Sequence, residues 1–243
     1  MRKFCRRVTF VYLCINGNCK QTTWRVLTRR EILLKIFSII FLVVFPHFVP
    51  LPFYSYAIVC FLLIIWILKR QNQTLRNIGL KRGGLTFKTL IAGIISAIIL
   101  NRLVTWIYYP VIHHFFAYNI SDYTEYNFIK EKLFNYLLVL FASWIIGGFY
   151  EELVFRGYIQ STFQNIFRST KNSFWASGIL TTILFGIYHW QQGVFGIVHS
   201  ALAGIFWTFM LRRFKGNLWY PIISHAAYDT ITLTMIYLGI LGK

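Results

Sequence analysis

Two adjacent carboxylates, Glu151 and Glu152, are followed by Arg156 in the otherwise apolar stretch Tyr150-Glu-Glu-Leu-Val-Phe-Arg. Two more combinations of the same kind come later in the chain, Phe185-Gly-Ile-Tyr-His189 and His225-Ala-Ala-Tyr-Asp229. Carboxylates and imidazoles are the side chains best suited to moving protons near neutrality, and they are also zinc ligands. The chemistry within reach is therefore activation of a water, by a general base or by a metal. Of only seven acidic residues, three (Glu151, Glu152 and Asp229) stand in strongly apolar sequence. An ionisable group at membrane depth costs roughly 3 kcal/mol or more, so each is a functional candidate first.

On a helix, Glu152 and Arg156 share a face at i and i+4, with the glutamate on the N-terminal side, the better order for an ion pair. Glu151 is rotated about 100° away. This divides the two glutamates: Glu152 neutralised by Arg156, and Glu151 left facing a polar cavity as a general base. The plainer reading is a salt bridge that anchors a helix at the interface, but an anchor gives no reason for two adjacent glutamates. His225 and Asp229 likewise share a face at i and i+4. One such histidine alone would be read as a core imidazole bonded to a backbone carbonyl. Three helices that each offer acid, base or ligand residues point instead to one shared site.

Other polar residues rank lower. His199, in Gly196-Ile-Val-His-Ser200, has small neighbours that suit close helix packing. His113 and His114 accompany Tyr108, Tyr109, Phe115 and Phe116 in an aromatic interfacial belt. His47 falls in a Pro-rich turn (Pro46, Pro50, Pro52), and Asn101 with Arg102 either lines a cavity or snorkels outwards. Cys5, Cys14, Cys19 and Cys60 lack C-x-x-C spacing, which supports neither a disulfide framework nor a zinc cluster.

The elements that must hold these residues are membrane helices. The chain of 243 residues is 57% hydrophobic and 19% aromatic but only 13% charged, far from the quarter usual in soluble domains. Its net charge of +18 does not point to nucleic acid, because the basic residues fall between apolar runs rather than on one face. Apolar runs at about 32–46, 52–68, 89–109, 133–150, 174–190, 194–211 and 218–240 predict an all-α, polytopic transmembrane helical bundle of about seven (six to eight) spans. Residues 1–31 form a basic cytoplasmic arm and 32–243 a single transmembrane domain. Val8–Ile15, apolar but too short to span, is expected to be an interfacial helix or the remnant of an eighth element, and no cleavable leader is expected.

Eight Lys and Arg residues before position 32 and six in 69–88 place both segments in the cytoplasm of a cell membrane. The connection 110–132 carries Lys130 and Lys132 against Asp122, Glu125 and Glu131 and reads as external. Arg168, Lys171, Arg212, Arg213 and Lys215 return to the inside, giving an N-in, C-out arrangement. One conflict follows: Glu151 and His225 fall in the cytoplasmic half while His189 lies at the far end of its span. Either the helix continues past Tyr150 to about Phe167 within the membrane, or the fifth span starts after Phe174.

The ordered set Glu151-Glu152-x-x-x-Arg156, Phe185-x-x-x-His189 and His225-x-x-x-Asp229 resembles the CAAX protease and bacteriocin-processing (CPBP, or Abi) family of intramembrane endopeptidases, in its bacterial bacteriocin-immunity form. The resemblance is densest over about 133–240, and Asn77-Ile-Gly-Leu80 is similar as well. It implies proteolysis in the membrane: Glu151 and His189 activating water, and His225 with residue 229 stabilising the oxyanion. The family's prenyl-protein proteases tend to have Asn at the last position; here it is Asp229, which donates a hydrogen bond only when protonated. A metal-free glutamate mechanism is favoured. Zinc held by Glu151, His189, His225 and Asp229 stays open. The implied partners are a peptide or lipidated protein substrate, membrane lipids, and a bacteriocin or its receptor, with no nucleic acid. The competing readings are a non-catalytic immunity protein that binds the bacteriocin or its membrane receptor, and a proton-coupled transporter. The latter lacks an evident inverted repeat.

Overall fold

The computed structural model describes residues 8–15, 18–25, 28–49, 54–116, 124–167 and 170–241, with only the backbone path given before residue 28. Pro50 and Pro52 of the expected turn, Cys5, the basic residues Arg2, Lys3, Arg6 and Arg7, and Asp122, Arg168 and Ser169 lie outside the described residues. The chain divides into two compact units, residues 1–41 and 42–243.

Within the first unit, Val8–Ile15 (β1) pairs antiparallel with Asn18–Arg25 (β2), Val8 opposite Arg25 and Ile15 opposite Asn18. The apolar run expected as an interfacial helix is thus a strand. The local chemistry explains the correction, since Val8, Thr9, Val11, Ile15, Thr22 and Thr23 are β-branched and Asn16-Gly17 between the runs is a strong hairpin signal.

Among the described residues the remaining major elements are seven helices: α1 Arg29–Phe48, α2 Tyr56–Arg70, α3 Phe87–Phe116, α4 Leu133–Ile166, α5 Ser173–Tyr188, α6 Gly193–Arg213 and α7 Trp219–Tyr237. Four helical segments are long and apolar enough to cross a bilayer: α1, α3, α4 and Trp190–Arg213, which contains α6. Pro46 does not end α1, which runs on to Phe48, so His47 is a helical residue rather than part of a turn. Starting α3, Thr86 forms a capping box with Thr89: the Thr89 backbone N–H donates to Thr86 Oγ1 at 3.2 Å, and the Thr86 N–H to Thr89 Oγ1 at 3.3 Å.

Helix α4 carries the site. It is one continuous rod of 34 residues whose backbone is π-helical over Trp144–Glu151 and Leu153–Ile159, a local widening often found at functional sites. Every residue from Tyr150 to Gln160 is buried, whereas Leu133, Phe134, Leu137, Leu138 and Phe141 nearer its start are exposed apolar side chains. One half of the helix presents exposed apolar side chains and the other is enclosed by protein.

That continuity removes the conflict over depth. At about 1.5 Å per residue, Glu151 lies about 22 Å before the end of α4 at Ile166. His189 lies about 24 Å beyond the start of α5 at Ser173, and the short connection between the helices brings the two residues level. Hydropathy marks the end of the apolar run at Tyr150, but the hydrogen-bonded backbone does not stop there.

Helix α7 runs antiparallel to the same rod. Trp144 Nε1–H donates to Thr230 Oγ1 at 2.9 Å, and the Tyr136 and Thr234 hydroxyls are 2.9 Å apart. Between them, a Cβ on Gly148 would lie 2.6 Å from that of Ala226, so glycine is required for the approach. Helix α3 also packs on α7, with Gly93 against Ile223. The start of α7 is pinned by the loop that contains Asn77-Ile-Gly-Leu80. The Leu218 N–H donates to Gly79 O at 3.0 Å, Asn217 Nδ2 to Gly84 O at 3.0 Å, and Trp219 Nε1 to Lys81 O at 3.0 Å. Gly79, at φ +99°, makes the tight approach to the Gly216 carbonyl that a side chain would block. Ile78 and Leu218 then both rest on Gly157, so α7 begins level with the middle of the enclosed part of α4.

Candidate active site

The enclosed half of α4 presents Glu151 and Glu152 in different directions. Glu151 Oε2 faces His189 Nε2, just past the end of α5, at 3.8 Å. This exceeds hydrogen-bonding distance. The other ring nitrogen, Nδ1, is 2.8 Å from the Phe185 carbonyl. A carbonyl only accepts, so Nδ1 carries the proton, and in the neutral imidazole Nε2 presents a lone pair towards Glu151. The i, i+4 spacing of Phe185 and His189 thus has a definite effect: the helix's own backbone fixes the tautomer.

Glu152 is fully buried, and its Oε1 accepts two hydrogen bonds, from Arg156 Nη1 at 3.0 Å and from His225 Nδ1 at 3.0 Å. The Arg156 partner follows from the i, i+4 spacing. The His225 partner does not, because it comes from α7. With Nδ1 engaged in this way, His225 Nε2 points to Asp229 Oδ1 at 3.8 Å. Gly147 makes room for this carboxyl, since a Cβ there would lie 2.5 Å from Asp229 Oδ2 and 3.8 Å from His225 Nε2.

Aromatic rings hold the charged groups in place. The Arg156 guanidinium lies over Phe185 at 4.0 Å and faces Trp207 at 5.2 Å, contacts that favour a cation. Trp207, from α6, stacks on the His225 ring at 3.8 Å and 22°, and its Nε1–H donates to Ser224 Oγ at 3.2 Å. Gly204 leaves room for the guanidinium, because a Cβ would sit 2.7 Å from Arg156 Nη2. Solvent reaches the groups unequally: the side chains of Glu151, His189 and Asp229 are 11%, 17% and 25% exposed, against 0% for Glu152 and Arg156. An accessible set of acid and base groups therefore rests on a fully buried ion pair.

All six residues selected from the sequence, Glu151, Glu152, Arg156, His189, His225 and Asp229, lie in this one constellation. Four others lie elsewhere or are otherwise engaged. His199 Nε2 is 2.9 Å from the Tyr228 hydroxyl, His113 and His114 are exposed on α3, and Arg102 is exposed over the Trp106 ring. Sequence reasoning missed Gly147, Gly204 and Trp207. Gly147 and Gly148, small residues just before the two glutamates, were a signal for close helix approach. Trp207, in a uniformly apolar helix, gave none.

The residues were also tested against a zinc site. Among the described residues, no three His, Cys, Asp or Glu side chains gather as one ligand set. One ring nitrogen of His225, Nδ1, is taken by Glu152.

Residues 133–231 match the family described as type II CAAX prenyl endopeptidase, Rce1-like. The matched segment runs from the start of α4 to Ile231, two residues past Asp229, and so includes the whole constellation. No curated protein and no solved structure matches the chain.

Proposed function

Because residues 133–231 belong to the Rce1-like CAAX endopeptidases, we propose that this membrane protein hydrolyses a peptide bond within the bilayer by a metal-free mechanism in which Glu151 and His189 activate water. The observation that carries the reading is the 3.8 Å separation of Glu151 Oε2 and His189 Nε2. Two acceptors at that spacing are too far apart to bond directly, but they suit one water donating a hydrogen to each. The water's oxygen lone pair is then free to attack a carbonyl carbon while one acceptor takes the proton. His225, fixed through Nδ1 by Glu152, turns Nε2 towards the same space. As an imidazolium it donates to the developing oxyanion, and Asp229 supplies a second donor when protonated. Glu152 and Arg156 serve as the buried support that positions His225.

The substrate is a membrane-associated peptide or a lipidated protein, as the name of the matched family suggests. Directed at a bacteriocin or its receptor, the same cleavage would confer self-immunity. The helical bundle lies in a cell membrane with the N-terminal basic segment in the cytoplasm, in keeping with six basic residues between 69 and 88.

The test is cleavage of a fluorogenic, farnesylated CAAX-type peptide by purified protein in nanodiscs, with and without a strong zinc chelator. Glu151→Ala, His189→Ala and His225→Ala should each abolish turnover in protein that still purifies as a folded species, and the chelator should leave the parent activity intact. Turnover retained in all three variants would refute the enzymatic reading. Loss of activity on chelation would refute the metal-free mechanism.

A further inference from the structure

Beyond the constellation, the enclosed half of α4 carries a second polar feature. Glu152, Arg156 and Gln160 follow one another at i, i+4 and i+8, and all three are buried to 1% exposure or less. Facing them are Thr181 and Thr182 of α5 and Thr208 of α6, each exposed by 3% or less. The polar atoms of this group are unmatched: Arg156 Nε and Nη2, both amide atoms of Gln160, and the hydroxyls of Thr181, Thr182 and Thr208 have no hydrogen-bond partner among the described residues. A buried polar atom without a partner costs about 1–3 kcal/mol, and seven such atoms on three adjoining helices call for a ligand.

The glycines bring four of these side chains together in two pairs, Arg156 with Thr182 and Gln160 with Thr208. At Gly204, Arg156 Nη2 and the Thr182 methyl converge, 2.7 Å and 3.2 Å from where a Cβ would sit. About one turn before Thr182 on α5, a Cβ on Gly178 would lie 3.3 Å from Gln160 Nε2 and 2.6 Å from the Thr208 methyl. Two glycine-spaced layers therefore stack along α4, and they lead away from Glu152 towards the Ile166 end of the helix. The atoms include donors (guanidinium and amide N–H), an acceptor (the amide oxygen) and hydroxyls that act as both. Arg156 is already neutralised by Glu152, so the group has no excess charge to attract an ion. A small neutral ligand that donates and accepts suits it.

We infer that Arg156, Gln160, Thr181, Thr182 and Thr208 bind a file of water inside the bundle, next to but separate from the water that is hydrolysed. Such water completes the hydrogen bonding of Arg156 and thereby holds Glu152, and through it His225, in register. The water file is independent of the protease reading, and its test does not use turnover.

The test is radiolytic hydroxyl-radical footprinting of the full chain in nanodiscs, read by mass spectrometry. Thr208→Cys places a radical-sensitive sulfur in the file with little change of volume, and Cys60, fully buried and free, is the buried-sulfur reference in the same molecule. The expected result is oxidation at position 208 on the timescale of bound water while Cys60 stays unmodified, and loss of the position-208 signal when Gln160→Leu is added. A sulfur at 208 as inert as Cys60 would overturn the inference. So would labelling that Gln160→Leu leaves unchanged. If the Gln160→Leu protein does not fold, the comparison of position 208 with Cys60 in the single variant still decides the matter.

Discussion

Replacing Glu152 by glutamine changes one buried atom and one charge, and the structure sets the consequences. The glutamine oxygen can still accept from Arg156 Nη1 and His225 Nδ1, now both at 3.0 Å from Glu152 Oε1. The charge that balances the guanidinium is lost, however, at a place where both side chains are 0% exposed. The amide nitrogen also takes the place of Oε2, which has no partner among the described residues. Removing one member of a buried ion pair costs about 3–5 kcal/mol. The retained acceptor puts Glu152→Gln at the low end, about 3 kcal/mol, or a fall in Tm of about 6–12 °C for a chain of this size. Glu151→Gln strands no cation, because its nearest charged-group partner, His189, is 3.8 Å away. It should cost about 1 kcal/mol or less while lowering turnover by about 10²–10⁴, the range of a lost general base. Melts followed by fluorescence-detected size exclusion, with turnover measured on the same preparations, separate the two effects. The double variant Glu152→Gln/Arg156→Met, which leaves no stranded charge, should recover much of the lost Tm. If the two glutamine variants melt together, or if the double variant melts below Glu152→Gln, the division of roles between the adjacent glutamates is wrong.

Two further outcomes follow from the geometry. Gly147→Ala would put a methyl 2.5 Å from Asp229 Oδ2, displacing the carboxyl, and should lower turnover about 10-fold or more with a Tm loss corresponding to about 1–3 kcal/mol; unchanged turnover would remove Asp229 from the reaction. Asp229→Asn keeps a hydrogen-bond donor in place and should retain most activity, whereas Asp229→Leu should lose about 10²–10³ in kcat; equal losses in both would show that the carboxyl acts as something other than a donor.

The helix count and all six polar residues of the constellation were legible in the sequence because each rests on a local signal: a long apolar run, or acid and base spaced one helical turn apart. What escaped was tertiary. The 3.0 Å contact between His225 and Glu152 joins helices far apart in the chain, and the stacking of Trp207 on His225 leaves no periodic trace in a helix that is apolar on all sides. The end of α4 was one of two alternatives that the sequence left open, and the structure decides for the longer helix. Hydropathy falls where Glu151, Glu152 and Arg156 enter, although the backbone continues as helix to Ile166. The Val8–Ile15 strand was missed because the apolar run was weighed for length, while the Asn16-Gly17 pair beside it was left out of account.

One oxygen, Glu152 Oε1, receives both the guanidinium of Arg156 and the imidazole of His225. Many enzymes keep the groups that hold them together apart from those that react, so that mutation can explore one set while the other is conserved. Here the two meet at a single atom. Sequence drift at position 156 or 152 is felt at once as a misdirected His225, and a loss of activity by change at 225 also loosens the centre of the bundle. Under the proposed mechanism, descendants of this chain that give up catalysis should therefore lose Glu151 and His189 first, and keep Glu152, Arg156 and His225 as a relic of the fold.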